Sequence, residues 1–130
     1  MPSIFSRIIA GEIPCYKIAE NEDYIAFLDV FPLKKGHTLV IPKKEVDYVF
    51  DLDDSTYLGL MEFAKQVAKA LKQSIPCNRI GVSIIGLEVP HAHVHLIPIN
   101  TMNDMNLANE KLKLSKEEFE QIASEIKHYI

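Results

Sequence analysis

The stretch that most constrains this chain is Pro90-His91-Ala92-His93-Val94-His95-Leu96-Ile97-Pro98, which sets three of the five histidines at every second position between small or branched apolar residues. If the segment is extended, a period of two puts His91, His93 and His95 on one face and Ala92, Val94 and Leu96 on the other. One face is then open to chemistry and the other belongs to a core. Three readings stand side by side: a metal site, a nucleophile with helpers, and a partly exposed strand that carries histidine by chance. Same-face neighbours lie roughly 6.6 Å apart and the outer pair roughly 13 Å apart, against Zn–N bonds of about 2.0 to 2.1 Å. One ion takes two of these rings, hardly three, and needs ligands from elsewhere. A nucleophile at His93 uses all three, because its neighbours can donate protons or fix its tautomer. Imidazole titrates near neutrality, so a free ring nitrogen can attack phosphorus or accept a proton. Histidine is not a preferred strand former and gains nothing structural from repeating every second residue.

The 130 residues, 48% apolar and 25% charged, suffice for one soluble domain over 1–130. With a net charge of −4 and no basic stripe, a nucleic-acid polymer is not an expected partner. An anionic ligand must be held locally, by imidazoles and backbone N–H groups. Met1 to Ala10 lacks the pattern of an export leader, and no apolar run is long enough to span a bilayer, so no membrane partner and a cytoplasmic location are expected. Cys15 and Cys77, far apart and in no C-x-x-C arrangement, read as reduced thiols.

Ser3 caps a short amphipathic helix with Ile4, Phe5, Ile8 and Ile9 on one stripe, ended by Gly11. That stripe either packs on a sheet or walls a pocket for a flat ring. Tyr16–Ala19 and Tyr24–Val30 form a hairpin through Glu20-Asn21-Glu22-Asp23. Asp29 stands at a strand end before Phe31-Pro32, where it either forms a turn or meets ligand hydroxyls. After the turn Leu33–Gly36, His37 opens a strand closed by Pro42, a position where a lone histidine is more often structural than catalytic. Asp51–Ser55 offers caps for a helix over Thr56–Gln73 that buries Leu60, Met61, Ala64, Val67, Ala68 and Leu71. Pro76 stops it, and Arg79–Gly86 gives another strand. The loop Gly86-Leu87-Glu88-Val89-Pro90 brings N–H groups beside the imidazoles, within reach of a phosphate oxygen, with Glu88 as a solvated charge. Thr101–Leu114 is too long for a plain connector, hence a lid or a dimer contact. Ser115-Lys116-Glu117-Glu118 is a capping box opening a helix whose Phe119, Ile122, Ala123 and Ile126 share a face. Strands joined by turns imply an antiparallel sheet of about five strands with packed helices, an α+β class.

His91-Ala92-His93-Val94-His95-Leu96-Ile97 resembles the signature of the histidine triad (HIT) superfamily. Ile4–Pro14, Ala26-Phe27-Leu28-Asp29 and Gly36-His37-Thr38-Leu39-Val40-Ile41-Pro42-Lys43 are similar to its Hint branch. The likeness runs from about residue 3 to 99, with 100–130 as a C-terminal loop and helix. It implies a HIT-like homodimer that hydrolyses or transfers nucleotidyl groups, typically of purine nucleoside phosphoramidates, without metal or other cofactor. Under it His93 is the nucleophile that takes the nucleotidyl group covalently and His95 lies beside the leaving group. His91 and His37 support them. Asp29 binds the ribose hydroxyls, Ile4, Phe5, Ile8, Phe27 and Val30 wall the base pocket, and Glu88 and Val89 complete the substrate-binding set. With no lysine beside the triad, the donors to the phosphoryl oxygens are expected to be imidazoles and loop N–H groups.

The chain also departs from that family. Ser3, Ser6 and Glu45 stand where many bacterial members carry a Cys-x-x-Cys pair and a histidine that hold zinc, so structural zinc is not expected. The loop before the triad is short, the asparagine expected near Ile84 is missing, and Glu88 stands where a small hydroxyl residue contacts phosphate. These departures bear on substrate identity. They leave a nucleotide-binding module with vestigial catalysis and a dinucleoside polyphosphate hydrolase as alternatives.

Overall fold

Five short extended segments, of which Tyr24–Leu28 and Thr38–Pro42 are buried at every residue, build one antiparallel sheet, seen in a computed structural model that describes residues 2–130. In chain order the elements are α1 (Ile4–Ile9), β1 (Lys17–Glu20), β2 (Tyr24–Leu28), β3 (Thr38–Pro42), α2 (Asp54–Ser74), β4 (Arg79–Ser83), β5 (Val94–Ile99) and α3 (Lys116–Lys127), with 3-10 turns at Val49–Asp51 and Met102–Met105. The strands run in the order β1-β2-β3-β5-β4, all neighbours antiparallel, which bears out the α+β class. Among the described residues no helix is long and apolar enough to cross a membrane.

The two faces of the sheet are covered differently. Ala26, Leu28, Val40, Val94 and Leu96 meet α2 and α3 in the main core, with Leu60, Phe63, Ala64, Val67, Ala70 and Leu71 from α2 and Phe119, Ala123 and Ile126 from α3. Phe63 and Ala70 take the places expected for Met61 and Ala68, which sit at the edge of the buried stripe, half covered. Asp53 rather than a later residue caps α2, its carboxylate accepting from the Thr56 N–H. The capping box of α3 forms as expected, and Phe119 stacks on Tyr16 at 4.8 Å. The opposite face carries a smaller cluster of Phe5, Ile25, Phe27, Leu39 and Ile41, roofed by α1.

Residues beyond β5 return over that second face instead of looping into solvent. Met105 packs on Gly81, where an added Cβ would stand 2.5 Å from its Sδ. Asp104 pairs with Lys34 at 3.0 Å, and the Leu112 N–H donates to the Pro32 carbonyl at 2.8 Å. Gly36, at φ +89, closes the turn before β3 against Leu71 and Ile75, where a side chain has neither the backbone angle nor the room.

The histidine strand starts later than its sequence pattern suggests, at Val94, leaving His91 and His93 ahead of it. The reason lies in its neighbour. The His37 carbonyl and the Lys43 N–H both bond into the β2 side, so odd residues of β3 face β2 and even ones face β5. Continuing the register Thr38↔Leu96, Val40↔Val94 would set Pro42 against Ala92 in a hydrogen-bonded pair. Proline has no N–H to give. The Ala92 N–H turns instead to the Val46 carbonyl at 2.7 Å, and the Pro42 carbonyl is taken by the His91 ring. β4 ends at Ser83, opposite His95, short of the expected Gly86.

Candidate active site

Despite the late start of β5, His91, His93 and His95 lie on the α1 side of the sheet while Ala92, Val94 and Leu96 enter the main core. His91 is wholly buried. Its Nε2 lies 2.8 Å from the Pro42 carbonyl, which can only accept, so this nitrogen carries the proton. Its Nδ1 lies 2.8 Å from Ser3 Oγ, which therefore donates to it. Burial holds the His91 pKa below the ordinary imidazole value, against the pull of the Pro42 carbonyl and the Glu45 charge.

His93 Nδ1 lies 2.7 Å from the His91 carbonyl, and the same rule makes Nδ1 the protonated nitrogen. Its Nε2 then holds a lone pair. The His93 ring sits edge-on to Phe5, with centroids 5.0 Å apart, and lies 5.0 Å from the His95 ring. A cavity of about 270 Å³ opens beside His93, lined on its other sides by Tyr48, Phe50 and residues 84–87.

At the far end the logic runs in the opposite direction. The Leu33 N–H donates to His37 Nδ1 at 3.0 Å, so His37 keeps its proton on Nε2 and donates it to His95 Nδ1 at 2.9 Å. His95 in turn keeps its proton on Nε2. The two neighbouring rings thus present opposite functions, a lone pair on His93 and an N–H on His95. His37 is buried and its pKa is lowered to about 3, chiefly by burial and then by His95, Lys111 and His93. His95 is lowered to about 4 by burial and then by His93. Both are neutral at pH 7.

Asp29 makes the turn its position allowed and also faces the histidines. Oδ1 accepts from the Phe31 N–H at 2.9 Å, making the turn, while Oδ2 faces His37 Nε2 at 3.6 Å. Burial pushes its carboxyl pKa up, opposed by the Phe31 N–H and by His93 and Lys111. Asp29, His37 and His95 bring ligand-type atoms within 4.8 Å of one another. A cation there would have to replace the proton that His37 and His95 share. At the other end, Ser3, Ser6 and Glu45 offer hydroxyls and one carboxylate rather than thiolates and imidazole. Their polar atoms are engaged with one another and with His91. That donor set does not fit a structural zinc, whose sites are built from Cys and His.

The remaining wall residues divide. Phe5 and Phe27 pack edge to face at 5.7 Å, both buried, and Ile8 and Val89 pack against their cluster. Ile4 and Val30 are about half exposed, at 49% and 51%. Glu88 is exposed, and its charge reaches Asp29, whose carboxyl pKa it helps to raise. The Val89 carbonyl accepts from the His91 N–H at 2.8 Å.

Three residues that local pattern could not supply also belong here. Ser3 reaches His91 across a separation of 88 residues, and Glu45 reaches Ser3 across 42. Lys111 adds a nearby cation that local pattern did not place. The returning tail carries it in, its ammonium held by the Leu107 carbonyl and, at 2.9 Å, the Asn109 carbonyl, and its charge is felt at Asp29 and His37.

A family model described as the HIT domain matches residues 10–102. The chain is 34% identical over 128 residues to the adenosine 5'-monophosphoramidase of Schizosaccharomyces pombe, covering 97% of this chain and 96% of that protein. It is 40% identical over 96 residues to the adenosine 5'-monophosphoramidase of Saccharomyces cerevisiae, covering 73% of this chain and 61% of the yeast protein. Among solved structures, a Hit-like protein involved in cell-cycle regulation from Bartonella henselae superposes with a TM-score of 0.85 at 32% identity, covering 98% of this chain and 96% of that one.

Proposed function

The chain belongs to the HIT domain family, and from that premise we propose that it is a metal-independent nucleotidyl hydrolase or transferase acting on purine nucleoside phosphoramidates through a covalent His93 intermediate. The observation that carries this reading is the opposition of tautomers: a lone pair on His93 Nε2 next to an N–H on His95 Nε2. In the first step His93 Nε2 forms a bond to phosphorus as the P–N bond to the amine breaks, and the amine takes a proton as it leaves. In the second, water adds to phosphorus, the P–N bond to His93 breaks, and the nucleoside monophosphate departs with the ring restored. Splitting one displacement into two lowers each barrier.

Neutral His95 is a hydrogen-bond donor and not a stored acid, since its pKa of about 4 leaves it with the single Nε2 proton at pH 7. A bound anionic phosphoryl group raises that pKa, so the proton for the leaving amine is acquired with the substrate. Lys111 supplies the cation that the sequence pattern lacked. Asp29 holds the ribose hydroxyls and Phe5, Ile8 and Val89 flank the base. The functional unit is the whole of 1–130, because the tail brings Lys111. It works as a homodimer, which the outer edge of β4 supports, with exposed Val82, Ile85 and Leu87 beside an unpaired strand edge.

The test is incubation with adenosine phosphoramidate after dialysis against EDTA, followed by intact-mass analysis at early times. A nucleotidyl adduct in the wild type and none in His93→Ala is expected, with hydrolysis unaffected by chelation. No adduct and no hydrolysis over a panel of phosphoramidates and dinucleoside polyphosphates would leave only a binding module. Activity that chelation abolishes would remove metal independence.

A further inference from the structure

His91 cannot touch a substrate, being wholly buried with both ring nitrogens engaged. What it offers the reaction is its carbonyl, which holds the His93 Nδ1 proton at 2.7 Å. The His91 ring is in turn fixed by Ser3, and Ser3 is itself fixed on every side. Its Oγ accepts the Ser6 N–H at 3.0 Å as the cap of α1, and its own N–H donates to Glu45 Oε1 at 2.6 Å. The same Glu45 oxygen accepts from the Ser6 hydroxyl at 2.6 Å. Glu45 therefore clamps the first turn of α1 through two donors. With its acceptor side used by Ser6, the Ser3 hydroxyl directs its one proton at His91 Nδ1. The Glu45 carboxyl pKa is held well below the usual range, first by the Ser3 N–H and then by the Ser6 hydroxyl, as a carboxylate that accepts from both must be.

We propose that Ser3 and Glu45 are positioning residues for the reaction, which anchor His91, and with it the carbonyl that fixes the His93 tautomer, and set Phe5 against the His93 ring. The chain of bonds is directional: Glu45 orients Ser3, Ser3 donates to His91 Nδ1, His91 Nε2 donates to the Pro42 carbonyl, and the His91 carbonyl keeps the His93 proton away from Nε2. The same helical turn carries Phe5, whose ring lies 5.9 Å from that of His91 and 5.0 Å from that of His93. These bonds stand where thiolates and imidazole would be needed for a metal to tie α1 to the triad, so hydrogen bonds perform that tie here.

The proposal rests on the phosphoramidase reading above, and its test separates the two. Ser3→Asp is the informative variant because aspartate caps a helix as well as serine does but cannot donate a proton as a carboxylate. It should keep α1 capped yet draw a proton onto His91 Nδ1. The imidazole 15N spectrum shows that change directly, with His91 going from a single Nε2–H tautomer to the doubly protonated form. For catalysis, kcat should fall about tenfold or more with KM within about twofold, the pattern of a lost transition-state interaction. Ser3→Ala should lose kcat similarly and melt earlier, while Ser3→Thr, which retains cap and donor, should restore most of the rate. Glu45→Ala should follow Ser3→Ala, and Glu45→Gln, which still accepts twice, should stay within about threefold of wild type. A Ser3→Asp protein with an unchanged His91 spectrum overturns the proposal. So does one with wild-type kcat. If the wild type itself hydrolyses nothing, the function fails while the 15N spectrum still tests the tautomer chain.

Discussion

The two ends of the histidine row use the same side chain for opposite purposes. At one end His91 is shut away, with its proton and its lone pair both assigned to fixed partners, Pro42 and Ser3. At the other, His95 has one nitrogen assigned, by His37, and the other left to face whatever binds. A buried imidazole with two partners contributes order, because losing either partner strands a polar atom away from water. A partly buried one with a single partner contributes chemistry, because its tautomer is chosen and its working nitrogen is not used up. The difference lies in the neighbours, a carbonyl and a hydroxyl against a second imidazole whose own tautomer is set by the Leu33 N–H.

Substitutions can break or sharpen that contrast. The largest effect is expected between the two ends, where His93→Ala should lower kcat/KM by about 10⁴, or about 5 kcal/mol, and abolish the adduct while the protein stays folded. Next, His91→Ala should reduce unfolding free energy by about 3 kcal/mol in urea titration, since a buried ring goes and the Ser3 hydroxyl and Pro42 carbonyl lose their partner. His95→Ala should weigh the other way, costing only about 1 to 2 kcal/mol as the buried His37 N–H loses its acceptor, and slowing turnover about a hundredfold. Equal losses of stability at His91 and His95 would erase the distinction.

Acid should act mainly at the His37–His95 end. Both groups have folded pKa values, about 3 and about 4, below the unfolded value. Their contribution is therefore complete above about pH 6.5 and is lost as pH falls from there through the folded values. In that window the unfolded chain binds protons that the native site refuses, by up to about 1.4 kcal/mol per pH unit for each ring. Urea midpoints from pH 7 to pH 4 check this, and His95→Gln should flatten the curve. The smallest effect is expected at Lys111→Ala, a three- to fivefold rise in KM, about 1 kcal/mol, that shrinks as salt is added.

Legibility from the sequence followed the range of the interactions. The alternation at 91–97, the capping box at Ser115 and the apolar stripe of α2 are local regularities, and each came out close to its expected place. His37, which alone reads as a structural histidine beside a turn, joins the site because β3 and β5 pair in a register that sets Leu39 against His95. The true start of β5 depends on a proline in another strand, and the roles of Ser3 and Glu45 depend on contacts across much of the chain. Lys111 lies in a segment with no periodicity, so only the folded path of the tail reveals its charge beside Asp29. The long 101–114 connection is no free lid, since a 3-10 turn capped by Thr101 and Asp104 and the ion pair to Lys34 tie it to the sheet.

The proline at position 42 has a consequence beyond the place where one strand begins. Because it releases residues 91–93 from the pleat, the spacing of the reactive groups is dictated by individual side-chain bonds and not by the repeat of the sheet. The scaffold and the reaction centre can then drift apart in evolution or in the hands of an engineer. A preceding loop can lengthen or contract, and a metal tie can give way to hydroxyls, without any shift of register in the five strands beneath.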